Sequence, residues 1–172
     1  MLPHHGAEKA DGLPARSIDS LSDLLASDAV LASLSVPNKK SLFQQLAQLA
    51  AKSTDLDPKM VVERLVERER LGSTGFGGGV AIPHGEADGG DRVVGSFARL
   101  ASRIGLAAND DLPVDLVFLL LSPPDAGVEH LKALARVSRK LRDRTFVAKL
   151  RGAGSPDALY ALFTNGDPQN AA

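Results

Sequence analysis

Val114-Asp115-Leu116-Val117-Phe118-Leu119-Leu120-Leu121 is a continuous apolar run broken only by Asp115. A stretch of this length and composition is expected as a central strand covered on both faces, because a half-solvated strand would alternate with polar residues. Ser122-Pro123-Pro124-Asp125 terminates it. A long helix is predicted beyond, with Leu131, Leu134, Ala135, Val137, Ser138 and Leu141 inward and Lys132, Arg136, Arg139, Lys140, Arg142 and Arg144 outward. Phe146 and Leu150, then Ala158, Leu159, Leu162 and Phe163, suggest two short closing helices. Upstream, Val93 to Leu100 reads as a strand, with Val93, Gly95, Phe97 and Arg99 on one face and Val94, Ser96, Ala98 and Leu100 on the other.

Further towards the N-terminus, two helices have legible ends. Asn38 is placed to cap a helix carrying Leu42, Leu46, Leu49 and Ala50. Asp57-Pro58 opens another, whose buried face is Val61, Val62, Leu65 and Val66. Glu63, Arg64, Glu67, Arg68, Glu69 and Arg70 are expected to be mostly solvated, and Gly72 ends the helix. Ile18, Leu21, Leu24 and Leu25 recur at helical spacing, and Val30, Leu31 and Leu34 suggest a short strand. The expected fold is α/β, a single-domain mixed β-sheet flanked by helices on both sides. It should span residues 18–165, between a flexible N-terminal tail (1–17) and a frayed C-terminus (166–172).

Composition narrows the function. The 172 residues carry a formal net charge of −1 and 4% aromatics, so neither a global field nor stacking platforms favour nucleic acid. There is no cysteine, which excludes disulfides, thiolate metal sites and cysteine nucleophiles. No apolar run approaches the roughly 18 residues that suggest a membrane span. Met1-Leu2-Pro3-His4-His5-Gly6 lacks the pattern of a secretory signal. A cytoplasmic protein without membrane insertion is the economical expectation. His4-His5 reads more simply as part of a tail than as a metal site.

Chemistry is concentrated in Gly72-Ser73-Thr74-Gly75-Phe76-Gly77-Gly78-Gly79-Val80-Ala81-Ile82-Pro83-His84-Gly85. The glycines match neither a P-loop nor a dinucleotide fingerprint, and a turn with positive φ accounts for them equally well. His84 lies between a rigid and a permissive residue, and neutral imidazole offers one lone pair while its other nitrogen donates. Phosphoryl transfer would need a free approach to one nitrogen, an acceptor for the other N–H, and donors around the equatorial oxygens. Arg68, Ser73, Thr74 and the amides of Gly75 and Gly77 are the local candidates for those donors. Standing alone, His84 would read as a structural histidine at a strand end. His130, about one turn into the long helix, either faces an anion there or is a partly buried helix histidine; the two readings carry equal weight. Two histidines without a matched third ligand make a poor metal site. Asp110, Asp111 and Asp115 read as a turn and a strand start.

Arg68-Glu69-Arg70-Leu71-Gly72-Ser73-Thr74-Gly75, running into Val80-Ala81-Ile82-Pro83-His84-Gly85, resembles the active-site block of the enzyme IIA components of the bacterial phosphotransferase system. The similarity is strongest to the nitrogen-regulatory branch, a relative of the fructose and mannitol enzymes IIA. Pro113-Val114-Asp115-Leu116-Val117-Phe118, Glu129-His130-Leu131 and Leu134-Ala135 resemble that family in order and spacing, and the likeness covers Ile18 to Phe163. It implies that His84 is phosphorylated by a histidine-phosphorylated HPr-like carrier, with His130 and Arg68 beside it and no metal or organic cofactor. It also implies regulation of partner proteins, such as kinases or transport regulators, according to phosphorylation state. The alternative within the family is a sugar-specific enzyme IIA that passes phosphate to an enzyme IIB. Three departures stand out: Glu86 where lysine is common, Phe76-Gly77-Gly78-Gly79 where a smaller aliphatic and Gly-Asn-Gly are usual, and the N-terminal tail.

Overall fold

The computed structural model describes residues 20–52, 54–106 and 113–165. The apolar run forms strand β6 (Val114–Ser122), and every residue of it except Asp115 is buried. Its neighbours in the sheet are β3 (Val80–Ala81), β4 (His84–Glu86) and β5 (Val94–Ile104). β5 runs antiparallel to β6, with Phe97 opposite Phe118, while β3 and β4 run parallel to it. The sheet is completed by β1 (Leu25–Leu34), parallel to β5, and by β2 (Gly75–Gly77), antiparallel to β3. The six strands therefore form one mixed sheet, ordered β1-β5-β6-β3-β2 with β4 also on β6.

Alternation along β6 divides the core in two. Leu116, Phe118 and Leu120 face a cluster with Val137, Leu141, Leu150, Leu159 and Phe163. These come from α3 (Gly127–Arg142), α4 (Arg144–Gly152) and α5 (Pro156–Thr164). Val117, Leu119 and Leu121 face Leu42, Phe43, Leu46, Val61 and Leu65 from α1 (Lys39–Ala51) and α2 (Pro58–Arg70). The sheet is thus covered by helices on both sides, as a doubly apolar strand requires.

The expected caps are present. Asn38 accepts from the Ser41 amide and Asp57 from the Lys59 amide, with Pro58 in the first turn. Three expectations fail. The helix expected over 18–25 is a turn at 22–24 followed directly by β1, while residues 18 and 19 lie outside the described residues. Leu21, Leu24 and Leu25 are buried as their spacing suggested, but a tight turn satisfies that spacing too. On α3 the buried stripe is Ala133, Val137 and Leu141, whereas Leu131 and Ala135 are exposed. Finally, Glu69 is not solvated: its side chain is only 5% exposed. The proposed tail with His4 and His5, the C-terminal segment 166–172, and Asp110 and Asp111 fall outside the described residues.

Candidate active site

His84 opens β4 immediately after Pro83, and its register opposite Leu120 places it near the C-terminal end of β6. Ligands in open α/β sheets gather at such strand ends. Both ring nitrogens have partners inside the protein. Nδ1 lies 2.8 Å from the Ile82 carbonyl oxygen, and Nε2 lies 3.3 Å from Arg68 Nε. A carbonyl can only accept and a guanidinium can only donate, so the proton sits on Nδ1 and the lone pair on Nε2. Two independent partners fix the same tautomer.

Arg68 reaches His84 from the last turn of α2 and also donates from Nη1 to the Gly72 carbonyl at 3.0 Å. His130, one turn into α3, stands with its ring centroid 5.5 Å from that of His84. Its Nδ1 pairs with Ser122 Oγ at the end of β6, at 2.5 Å. An open pocket of about 620 Å³ holds His84, His130, Arg68, Arg64, Leu71 and Glu86 along its walls.

Burial is the largest influence on His84 and moves its pKa below the ordinary imidazole value. Arg68 and His130 act in the same direction, while the Ile82 carbonyl and the Glu69 carboxylate oppose them. Burial likewise lowers His130, against an opposing pull from Glu86. Both rings are therefore mainly neutral at pH 7, and the His84 lone pair is met by Arg68 and not by a proton.

The structure gathers His84, His130 and Arg68 at one point. It does not gather the other candidates with them: Ser73, Thr74, Gly75 and Gly77 are absent from the pocket wall. The Thr74 amide and hydroxyl both donate to Glu69, Ser73 Oγ donates to the Leu106 carbonyl, and the Gly75 amide donates to Ser73 Oγ. Gly77 lies at the end of β2 with φ +96°, before the turn at Gly78-Gly79. Three contributors escaped the sequence reading: the Ile82 carbonyl, Ser122 and Glu69. Backbone acceptors leave no compositional signal, and Ser122 reads simply as the end of a strand. Asp115 is held bidentately by Arg151. Among the described residues no group of three or more His, Asp or Glu side chains is placed to hold a metal ion. No described helix is long and apolar enough to cross a membrane.

Residues 23–166 match the family described as "Phosphoenolpyruvate-dependent sugar phosphotransferase system, EIIA 2". The chain belongs to that family. Within it, this enzyme IIA is 46% identical over 142 residues to a nitrogen regulatory protein of Bradyrhizobium diazoefficiens, covering 83% of this chain and 93% of that one. It is 39% identical over 154 residues to the nitrogen regulatory protein of Escherichia coli, covering 88% and 94% respectively. The crystal structure of nitrogen regulatory protein IIA-Ntr from Neisseria meningitidis superposes with a TM-score of 0.79 at 35% identity, over 84% of this chain and 99% of that one. The nitrogen-regulatory branch is therefore where this enzyme IIA falls.

Proposed function

We propose that this enzyme IIA accepts a phosphoryl group on His84 Nε2 from a histidine-phosphorylated HPr-like carrier, and that its phosphorylation state decides which partner proteins it engages. The observation that carries the reading is the tautomer: Ile82 holds the proton on Nδ1, which leaves the lone pair of His84, a residue of the pocket wall, on Nε2. In the transfer, Nε2 attacks phosphorus as the bond from phosphorus to the donor imidazole breaks, and the donor ring leaves with that electron pair. The His84 ring becomes cationic, and its Nδ1–H bond to the Ile82 carbonyl strengthens as it does so. Arg68 must move off Nε2 for phosphorus to enter. The bond it gives up is a long one, at 3.3 Å. Its guanidinium is then placed to donate to the equatorial oxygens, where developing charge is greatest. His130 supplies the second neighbouring donor. Ser73 and Thr74 keep their structural bonds and have no part in this step.

Regulation draws on the surroundings of the pocket. Leu71 in its wall is 84% exposed, and Val128 and Leu131 beside His130 are each 65% exposed. Adding about two negative charges amid such side chains alters what can dock there. The curated relatives' description as nitrogen regulatory proteins supports regulation over supply of a sugar-specific enzyme IIB.

Incubation with a phosphorylated HPr-type carrier should give an acid-labile, base-stable modification on His84, absent from His84→Ala. Undiminished labelling of that variant would overturn the reading. Partner capture with His84→Ala and His84→Asp should return different partner sets; identical sets would refute the switch.

A further inference from the structure

Glu69 is the one carboxylate on α2 that the sequence pattern misplaces, and its bonds lead towards His84. Its buried carboxylate receives both the amide and the hydroxyl of Thr74 on Oε1, at 3.1 and 2.5 Å, and Lys39 from α1 on Oε2, at 3.4 Å. The Thr74 carbonyl in turn accepts the Ile82 amide at 3.1 Å. The Ile82 carbonyl is the group that accepts Nδ1–H of His84. An unbroken hydrogen-bonded path therefore runs from Glu69 through Thr74 and Ile82 to the side of the ring opposite the lone pair. Arg68, the residue before Glu69, meets the other side. Both nitrogens of His84 are thus referenced to the last turn of one helix, Nε2 directly and Nδ1 through the sheet.

We propose that Glu69 is a positioning residue for phosphoryl acceptance: by fixing the Thr74 peptide it holds Ile82 in place, and so keeps the His84 proton on Nδ1 and the lone pair on Nε2. The role rests on the function proposed for His84. A carboxylate suits it because one oxygen can take two donors from a single residue while the other takes a cation, and a charged acceptor bonds more strongly than a neutral one. Thr74 is its counterpart, with a hydroxyl engaged in the protein and not offered to phosphate. The carboxylate also favours the protonated His84 ring through space. The other charged or titratable groups around His84 are Arg64, Glu67 and Arg68 from α2, Glu86 and Asp88 from β4 and the turn after it, and His130 from α3.

The test compares Glu69→Ala, Glu69→Gln, Thr74→Val and Thr74→Ser by ¹⁵N NMR of the His84 ring and by the rate of phosphorylation from a phosphorylated HPr-type carrier. Loss of a hydrogen bond to a charged group predicts a fall of about tenfold or more in rate for Glu69→Ala. In that variant and in Thr74→Val the Nδ1–H bond to Ile82 should weaken, read as a changed Nδ1 shift and faster exchange of its proton, whereas Thr74→Ser should keep both the bond and the rate. In Glu69→Gln the loss of charge should shift the His84 titration to lower pH. If Glu69→Ala does not fold, the Thr74 pair and Glu69→Gln decide the matter alone. Folded variants with a wild-type Nδ1 shift, proton exchange, titration and rate would overturn the proposal. Failure of the wild type to be phosphorylated would remove the function of His84 while leaving the NMR comparison to judge the positioning role.

Discussion

Because burial holds His84 and His130 below the ordinary histidine pKa, the unfolded chain binds protons more readily than the folded one. Stability therefore rises with pH across this range: it is fully present above about 6.5, the unfolded value, and is lost as pH falls through the lowered folded values. Melting measured at successive pH values should show this acid sensitivity, and His84→Asn should show less of it than the wild type. Phosphoryl acceptance should follow the same neutral form, staying level above about pH 6.5 and declining as pH falls through the lowered His84 value. Glu86 acts in the opposite sense on its neighbour, favouring protonated His130. Glu86→Gln should move the His130 titration, followed by NMR, to lower pH. The variant also removes a negative charge from the pocket proposed to receive the phosphoryl group. Since Glu86 is exposed, the gain in phosphorylation rate should be small, roughly two- to fivefold at low salt, and should vanish at high salt.

At the scale of elements, the β2–β3 hairpin shows how closely the glycine run is built into the sheet. A Cβ on Gly79, at φ +82°, would lie 2.5 Å from Arg151 Nη2 and 2.8 Å from Asp115 Oδ1. Those two side chains clamp the turn, since Arg151 also donates to the Gly78 carbonyl at 2.6 Å. Gly79→Ala should cost about 1–3 kcal/mol from backbone strain and crowding, read as a shift in the urea midpoint. Helix ends, the central strand and both faces of β5 were legible because caps and alternation are local signals that tertiary packing here only reinforces. The helix expected at 18–25 was misread because spacing reports which residues are buried, and Leu21, Leu24 and Leu25 are buried from a turn and a strand start. Leu131 was misread because α3 buries the narrow stripe Ala133, Val137 and Leu141, leaving Leu131 exposed. Glu69 escaped because nothing in a run of charges tells which member turns inward; only the return of the chain at Thr74 and the approach of Lys39 decide that.

For the molecule as a whole, the site exists because the sheet brings distant segments to one strand end. β4 lies against β6, so His84 pairs with Leu120 and Glu86 with Ser122, and α3 leaves from just beyond that point carrying His130. His84 and Arg68 were legible as neighbours in one motif. The approach of His130 came through resemblance to a family, because pairing between strands is a long-range property that local periodicity does not encode. The same architecture explains why the ring is held from two sides: α2 covers one face of the sheet and delivers Arg68, while the sheet backbone delivers Ile82. The central claim is that this arrangement makes Nε2 of His84 the nucleophile. NMR of the ¹⁵N-histidine-labelled protein, phosphorylated by an HPr-type carrier, measures it most directly. Phosphorus coupled to Nε2 of His84, with the proton retained on Nδ1, is the predicted result; phosphorus on Nδ1 of His84, or on His130, would contradict it.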